Sequence, residues 1–232
     1  MEFDPQTYGA VHKLLAQAFI AKGAMSRSEV IDSIQRSSRR DREEATQAAD
    51  ALVEMVKRQI QNFKLDIVSA RSEFEDAAAA AEYIVLVNKK PYEKEWQSVS
   101  PLSPEQGEFF KGLVELATLG ASGSTTIGNC LELGDRQKPK MPIDAVRTLL
   151  DKLQRDRWIV VKDERVGLHC RAVVDLREML LRYGLNPCPI CDQVVMGKEN
   201  QQCPQVRQVH AEILHGGGMC EEKWPHELVT NE

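Results

Sequence analysis

One order of elements occurs twice along this chain, and this repetition limits the possible folds more than any other feature. In the first copy, a predicted helix from about residue 5 to 22 ends at Gly23, where glycine favours a helix end. The capping box Ser26–Glu29 opens a second helix, and a third begins near Asp41. The period then changes to the alternation of "FKLDIVSA" and "EYIVLVN", which predicts two strands. Each copy is therefore expected to hold three helices and a hairpin.

Apolar residues at three- and four-residue spacing mark the buried faces of the first copy. We expect the first helix to bury Val11, Leu14, Leu15, Ala18 and Phe19, and the second to bury Val30, Ile31 and Ile34. The third helix has the longest such series: Ala45, Ala48, Ala49, Leu52, Val53, Val56, Ile60 and Phe63. In the second strand, Tyr83, Val85 and Val87 share one side.

The second copy begins at Ser103, which starts a capping box with a proline at the first helical position. Its three helices are predicted in residues 104–119, in "STTIGNCLELG" and in "MPIDAVRTLLDKLQRDR". The strands "WIVV" and "VGLH" flank the turn 162–165, and one more helix is expected over 170–183. The predicted inward residues are Phe109, Leu113, Leu116, Ala117, Ile143, Val146, Leu149, Leu150, Leu153, Val173, Leu176, Leu180 and Tyr183.

Three helices followed by a hairpin is the order of a winged helix, so the sequence predicts a mainly α fold with small β wings. The polar segment "KKPYEKEWQSVSPLSP" contains three prolines and places a domain boundary near residue 97. The expected organisation is two winged-helix domains in tandem, residues 1–97 and 98–184, followed by a short zinc-binding tail over 185–232.

Composition excludes several classes of protein. Of the 232 residues 42% are hydrophobic and 28% charged, which is ordinary for a folded globular chain. The net charge of −5 means that any contact with nucleic acid must be local. No apolar run approaches the roughly 18 residues that cross a bilayer, and the N-terminus lacks a secretory pattern, so no membrane association is expected. Cys130 and Cys170 lie in apolar surroundings and are interpreted as buried thiols.

The carboxy-terminal cysteines suggest a metal site. Cys188-x-x-Cys191 provides two zinc ligands from one tight turn, and zinc requires four tetrahedral nitrogen or sulfur ligands. Cys203, His210 and Cys220 follow within thirty residues, and His215 is a further candidate. A reducing compartment favours zinc over a disulfide. An unmetallated tail and a disulfide remain alternatives at this stage.

Basic residues concentrate around the predicted third helix of the second copy. Residues 136–157 hold seven cations (Arg136, Lys138, Lys140, Arg147, Lys152, Arg155, Arg157) against three carboxylates. A smaller group, Arg27, Arg36, Arg39, Arg40 and Arg42, precedes the third helix of the first copy. Lys138, Lys140, Arg147, Lys152 and Arg155 are the candidate contacts to double-stranded DNA, without strong sequence preference because no amide side chain is placed for base readout. The alternative, a solvated face on a protein-docking domain, is favoured.

Several quoted segments together resemble a known family. "VHKLLAQAFIAKGAM", "YIVLVN", "LLDKLQRDRWIVVKDERVGLHCRAVVDLREML", "CPICDQVVMGKENQQC" and "WPHE" occur in the order seen in the non-SMC element one subunit of the Smc-five/six genome-maintenance complex. The resemblance runs through nearly the whole chain. It implies tandem winged helices, a variant RING domain that binds zinc, and a place in the nucleus on chromatin. The implied partners are a MAGE-type subunit and a kleisin subunit, in the service of DNA repair and recombination.

The zinc ligands carry over from that family only in part. The first pair is intact as Cys188 and Cys191, but Val206, Ile213 and Gly217 stand where three further ligands are expected. One zinc would keep Cys188, Cys191 and His210, with His215 as its fourth ligand after a small shift. The second would keep only Cys203 and Cys220, which do not suffice for a structural zinc.

Three functions follow as hypotheses from the sequence. The leading one is a docking and scaffolding subunit with a zinc-binding, incomplete RING-like tail. The second is an active RING-type ubiquitin ligase, in which Ile190 would contact the ubiquitin-conjugating enzyme and the rigid scaffold would orient its thioester. The third is a stand-alone DNA-binding protein. No residue is assigned a catalytic role, because a RING domain performs no covalent step itself.

Overall fold

The computed structural model describes residues 8–38, 41–72, 74, 82–89, 102–120, 122–188 and 192–196. Within them the chain forms two units that repeat one plan. The first unit contains α1 (Ala10–Lys22), β1 (Ala24–Ser26), α2 (Arg27–Ser38), α3 (Arg42–Ile60), β2 (Leu65–Arg71) and β3 (Glu82–Asn88). A single 3₁₀ turn, Gln61–Phe63, joins α3 to β2.

The predicted starts of α2 and α3 are confirmed by their caps, whereas α1 begins at Ala10 and not near residue 5. The Glu29 amide donates to Ser26 Oγ and the Ser26 amide to Glu29 Oε2, at 3.2 and 2.8 Å, which completes the capping box of α2. The Asp41 side chain accepts from the Glu44 amide at 2.8 Å and caps α3. These caps are local contacts, so the sequence was sufficient to place them.

The sheet of the first unit has the order β1-β3-β2 and is antiparallel throughout. Its inner face, with Ile67 and Ile84, packs on the three helices around Phe19, Ile34 and Leu52, all three fully buried. The outer face carries Ala70 and Val85, which are also buried although they point away from that core. Another part of the chain therefore covers the outer face.

The second unit follows the same plan. It contains α4 (Pro104–Leu119), β4 (Ser124–Thr126), α5 (Ile127–Arg136), α6 (Ile143–Arg155), β5 (Ile159–Lys162) and β6 (Arg165–Leu168), then α7 (Cys170–Asp175) and α8 (Arg177–Arg182). The sheet order is β4-β6-β5, again antiparallel. Asp163 and Glu164 form the two-residue turn between β5 and β6, both with positive φ, as type I′ hairpins require.

The core of the second unit is built around aromatic side chains. Phe109, Phe110 and Trp158 are buried, and the Phe110 and Trp158 rings meet edge to face with centroids 6.0 Å apart. Leu185, Val194 and Met196 belong to the same core. The described part of the predicted tail is therefore continuous with the second unit.

The structure corrects some local predictions. β1 and β4 were not expected, and β4 occupies the first residues of the segment predicted as a helix. The helix predicted over 170–183 is two short helices that meet at Leu176, whose φ and ψ are −96° and 16°. Three side chains predicted to be inward are instead largely exposed: Leu14 at 51%, Phe63 at 71% and Ile143 at 59%. Phe63 follows α3 in the 3₁₀ turn and Ile143 is the first residue of α6, so neither has a full helical turn against the core.

The second unit covers the outer face of the first sheet. Cys170, at the start of α7, packs with Ala24, Ala70 and Val85 in a small buried cluster, and Val174 lies against it. The two units thus share a third apolar core. Among the described residues, no helix is long and apolar enough to cross a membrane.

Candidate functional site

A closed turn surrounds the first predicted zinc ligand. The Cys188 amide donates to the Gln193 carbonyl at 2.8 Å, and the Asp192 amide donates to the Cys188 carbonyl at 2.9 Å. Pro187 and Val194 form a β-bridge just outside these bonds, and Asp192 has a positive φ of 59° that reverses the chain. We call the described residues 187–188 and 192–194 the cysteine turn.

The cysteine turn is held against the second unit. One guanidinium nitrogen of Arg177, at the start of α8, donates to the Asp192 carboxylate at 2.8 Å, and another donates to the Asp192 carbonyl. Val194 is 1% exposed and Met196 3%, both in the second core. The described residues on both sides of the turn, 187–188 and 192–194, are therefore held in place by contacts with the second unit.

The geometry of the described ligand suits a metal-binding turn. Cys188 is 5% exposed, and none of the described cysteines forms a disulfide. A thiol is a ligand type that structural zinc sites use, and the backbone of Cys188 is fixed by two hydrogen bonds. The other residues predicted for the site, Ile190, Cys191, Cys203, His210, His215 and Cys220, lie outside the described residues. Within the described ranges, no group of three metal-ligating side chains assembles, so the zinc site stays a prediction.

Two arginines of the second unit bind the first unit at the β1 end of its sheet. Arg157 donates to the Ala24 carbonyl at 2.8 Å and to Glu29 Oε2 at 2.6 Å, and its guanidinium lies 5.5 Å from the Tyr83 ring centroid. Its backbone has a φ of 61°, unusual for a residue with a Cβ, and this directs the chain between α6 and β5. Arg157 was predicted as part of the basic surface, but it is instead a contact between the units.

Arg171 makes the second contact. It donates to the Lys22 carbonyl of the first unit at 3.1 Å and to the Asp156 carbonyl of its own unit at 2.5 Å. Its guanidinium carbon lies 4.2 Å from the Trp158 ring centroid, within cation–π range. Gly23 makes this approach possible, because a Cβ there would lie 2.1 Å from the Arg171 guanidinium. We call Arg157, Arg171 and the residues they contact across the units the arginine seam.

His169 lies beside the arginine seam. Its Nδ1 accepts from the Arg171 amide and caps α7, and its ring meets Tyr83 edge to face with centroids 4.5 Å apart. Burial, together with the nearby Arg157 and Arg171 charges, lowers the pKa of His169 to about 3. The ring is therefore neutral at pH 7, as the Nδ1 acceptor role requires, and its contacts are structural.

Acid is expected to weaken the arginine seam through Glu29. Burial alone would raise the pKa of this carboxyl, but hydrogen bonds from Arg157, the Ser26 amide and Lys22 lower it to about 2 from 4.5. Because the folded-state pKa is depressed, the contribution to stability is present above pH 4.5 and is lost as the pH falls towards 2. Glu29→Gln should therefore be less stable than the parent chain at pH 7, and the difference should shrink between those pH values. Denaturant unfolding across this range tests it; a constant difference would contradict the assignment.

The five predicted DNA contacts lie around α6, although not all are free cations. Lys140 pairs with Asp135, and Lys152 is only partly exposed, with an interaction of its own. Arg147 and Arg155 are exposed on α6, on the same side as Asp144 and Asp151, while Lys138 is exposed before the helix. The wing tip at Asp163 and Glu164 is acidic. Contact between these five residues and DNA stays a prediction.

The folded elements define a mainly helical protein with two small antiparallel sheets, built from two units of one plan. Residues 12–119 match the family model described as the Nse1 non-SMC component of the SMC5-6 complex. This match runs from the third residue of α1 to the end of α4. The resemblance predicted from the sequence is therefore confirmed.

Relatives and solved structures agree with the family model. Proteins described as non-structural maintenance of chromosomes element 1 homolog from Xenopus laevis and Xenopus tropicalis are 26% and 25% identical over 158 and 160 residues. Each alignment covers 63% of this chain and 58% of the relative. A chain of a solved structure titled "Nse1-Nse3-Nse4 complex" has the same fold, with a TM-score of 0.71 and 21% identity, over 97% of this chain and 99% of that one.

The sequence did not indicate several contacts that the structure places together. Arg157 and Arg171 carry no sequence signal that separates them from surface cations. Gln193 was not singled out either, although its side chain contacts the first unit. Gly23 lies where the Arg171 guanidinium approaches the first unit. From the sequence it was interpreted only as the end of a helix.

Proposed function

We propose that this chain is the Nse1-type subunit of an SMC5-6 complex, and that it docks a MAGE-type Nse3 subunit and a kleisin-type Nse4 subunit. The match of residues 12–119 to the Nse1 family carries this proposal. The fold likeness to a chain from an Nse1-Nse3-Nse4 structure supports it, because the likeness covers 97% of the chain. A nuclear, chromosome-associated role follows from the same assignment.

We further propose that both units are winged helices that act as protein-docking domains. The observed order, helix, strand, two helices and a hairpin, supports this interpretation in each unit. The outer face of the first sheet is already occupied by α7, so a partner of the first unit must use another surface. Among the described residues, five large apolar side chains are largely exposed and available for such contacts: Leu14, Ile20, Phe63, Leu119 and Ile143.

Charge on the second unit favours protein docking over phosphate binding. Arg147 and Arg155 share their helix face with Asp144 and Asp151, and the tip of the β5–β6 hairpin carries the exposed Asp163 and Glu164. Phosphate contact requires a local surplus of cations, and this face has none. DNA binding by the isolated chain is therefore expected to be weak. Tight binding that persists at high salt would contradict this.

The tail is proposed to bind one zinc through Cys188, Cys191, His210 and His215. The closed cysteine turn supports this, because it presents Cys188 on a constrained backbone. Zinc would act here as a structural cross-link. Ubiquitin ligation with Ile190 as a contact to the conjugating enzyme is the alternative, and it requires the second zinc for which Cys203 and Cys220 are the remaining candidates.

Co-expression with the Nse3-type and Nse4-type proteins of the same genome tests the proposed function. We expect the three chains to co-purify and to elute as a single complex of one copy each in size-exclusion chromatography with light scattering. A double variant, Leu14→Glu with Phe63→Glu, places charges at two exposed apolar positions. It tests whether these positions contact a partner without disturbing the core. A parent chain that elutes alone, folded and without either partner, would overturn the proposal.

A further inference from the structure

The outer edge of β2 presents backbone groups that another strand could bind. In an antiparallel sheet, alternate residues of an edge strand point their amide and carbonyl groups away from the neighbouring strand. Arg71 is such a residue, because both of its backbone groups bind the Gln193 side chain and not β3. The outward residues of β2 are therefore Leu65, Ile67, Ser69 and Arg71. β2 is the last strand of its sheet, so no strand of the described chain covers them.

Side chains satisfy only part of this edge. The Gln193 amide group binds both backbone groups of Arg71, at 2.8 and 3.3 Å, and Asp66 Oδ1 accepts from the Ile67 amide at 2.9 Å. Ser69 is exposed, and within the described ranges neither its amide nor its carbonyl forms a hydrogen bond. The edge is therefore open at Ser69 and at the Ile67 carbonyl. An unpaired edge of this kind is a template for strand addition.

Three lysines lie around the start of this edge. The Lys64 carbonyl accepts from the Lys89 amide at 2.8 Å, so these two residues are neighbours across the sheet. The ammonium groups of Lys89 and Lys57 both lie near the Asp66 carboxylate, at 2.9 and 3.7 Å. Lys64 is exposed and has no ion pair with any described residue. Three cations thus accompany one carboxylate, and this local surplus favours an acidic ligand.

An apolar side chain completes the surface. Phe63 lies directly before Lys64 in the 3₁₀ turn and is 71% exposed. The open edge requires an extended backbone, the ring offers contact to an apolar side chain, and the lysines offer contact to acidic ones. A nucleic-acid strand could place phosphates near the lysines, but it has no peptide groups for the edge.

We propose that the β2 edge from Phe63 to Ser69 is a docking site for an extended acidic segment of a partner protein, which adds to the sheet as a further strand. The inference goes beyond the proposed function, because it stands on the first unit alone and needs neither the zinc site nor the identity of the partner. The lysines attract the segment, and the backbone of β2 sets its direction and register.

The test measures binding of a short fluorescein-labelled peptide of alternating glutamate and valine to the full chain, by fluorescence anisotropy. Ser69→Pro removes the amide donor from the middle of the edge, at a position where an edge strand tolerates proline. Lys64→Glu reverses the charge beside the edge. Its matched control is Lys13→Glu, which makes the same change on the exposed face of α1. Circular dichroism checks that each variant is folded.

We expect the parent chain to bind this peptide and the Ser69 amide to exchange more slowly with solvent in the complex. Ser69→Pro should bind about tenfold more weakly, because it loses a hydrogen bond of the added strand. Lys64→Glu should bind about fivefold more weakly, because an exposed ion pair contributes up to about 1 kcal/mol. Lys13→Glu should bind as the parent does. If Ser69→Pro does not fold, Lys64→Glu and the Ser69 amide still decide.

Several results would overturn the proposal. Absence of peptide binding, or parent-like binding by a folded Ser69→Pro variant, would exclude strand addition. Equal binding of a peptide with lysine in place of glutamate would contradict the role of charge. Tighter binding of a labelled thymidine oligonucleotide, weakened in Lys64→Glu, would make the surface a nucleic-acid site. A dimer in light scattering that Ser69→Pro abolishes would make a second copy of the chain the occupant.

Discussion

Trp158→Ala is expected to lower the free energy of unfolding by about 3–5 kcal/mol, the typical cost of emptying a large aromatic site in a core. Trp158 is 1% exposed, it meets Phe110 edge to face, and its outer side supports the Arg171 guanidinium. The substitution therefore removes core contacts and loosens the arginine seam at once. Urea unfolding followed by circular dichroism measures the effect.

Ile143→Ala is the matched control for this substitution. Ile143 is a large apolar residue of the same unit but is 59% exposed, so its loss should change the free energy of unfolding by less than about 0.5 kcal/mol. A comparable loss of stability in both variants would contradict the assignment of Trp158 to the core and of Ile143 to the surface.

Replacing Arg157 and Arg171 together by alanine is expected to uncouple the two units and to destabilise the chain by at least about 3 kcal/mol, since each arginine loses at least one hydrogen bond from a charged group, worth about 1.5–3 kcal/mol. The two guanidinium groups bind the Lys22 and Ala24 carbonyls and Glu29. Without them, Glu29 and both carbonyls lose their partners across the seam. Thermal unfolding should then show two separate transitions where the parent chain shows one.

Arg136→Ala provides the control for charge loss alone. Arg136 pairs with Glu132 one helical turn away, and its side chain is 77% exposed, so the change should cost less than about 1 kcal/mol and leave a single transition. A double arginine variant that still unfolds in one transition, with parent-like stability, would show that the apolar cluster around Cys170 suffices to join the units.

Features determined by neighbouring residues could be predicted from the sequence. The caps at Ser26, Asp41 and Ser103 depend on side chains within three residues, and all three are observed. The hairpins were likewise predictable, because alternation in "EYIVLVN" and in the residues after Trp158 is a local pattern. The Cys-x-x-Cys spacing indicated the turn at Cys188 for the same reason.

Features that depend on distant parts of the chain could not be predicted in this way. β1 has only three residues and exists because it pairs with β3, almost sixty residues later. The break at Leu176 leaves the apolar period intact, because α7 and α8 place Val173 and Leu180 against the same core. The contacts of Arg157, Arg171 and Gln193 with the first unit depend on how the two units pack together. No local sequence pattern predicts that packing.

Zinc per chain is the most direct measurement of the central claim, that this is a docking subunit whose tail folds around a structural metal. Elemental mass spectrometry of the purified chain, with a Cys188→Ser, Cys191→Ser control, gives the number. We expect one zinc in the parent chain and none in the control. Absence of zinc from the parent chain would contradict the claim, and two zincs would contradict the one-zinc tail and favour the ubiquitin ligase instead.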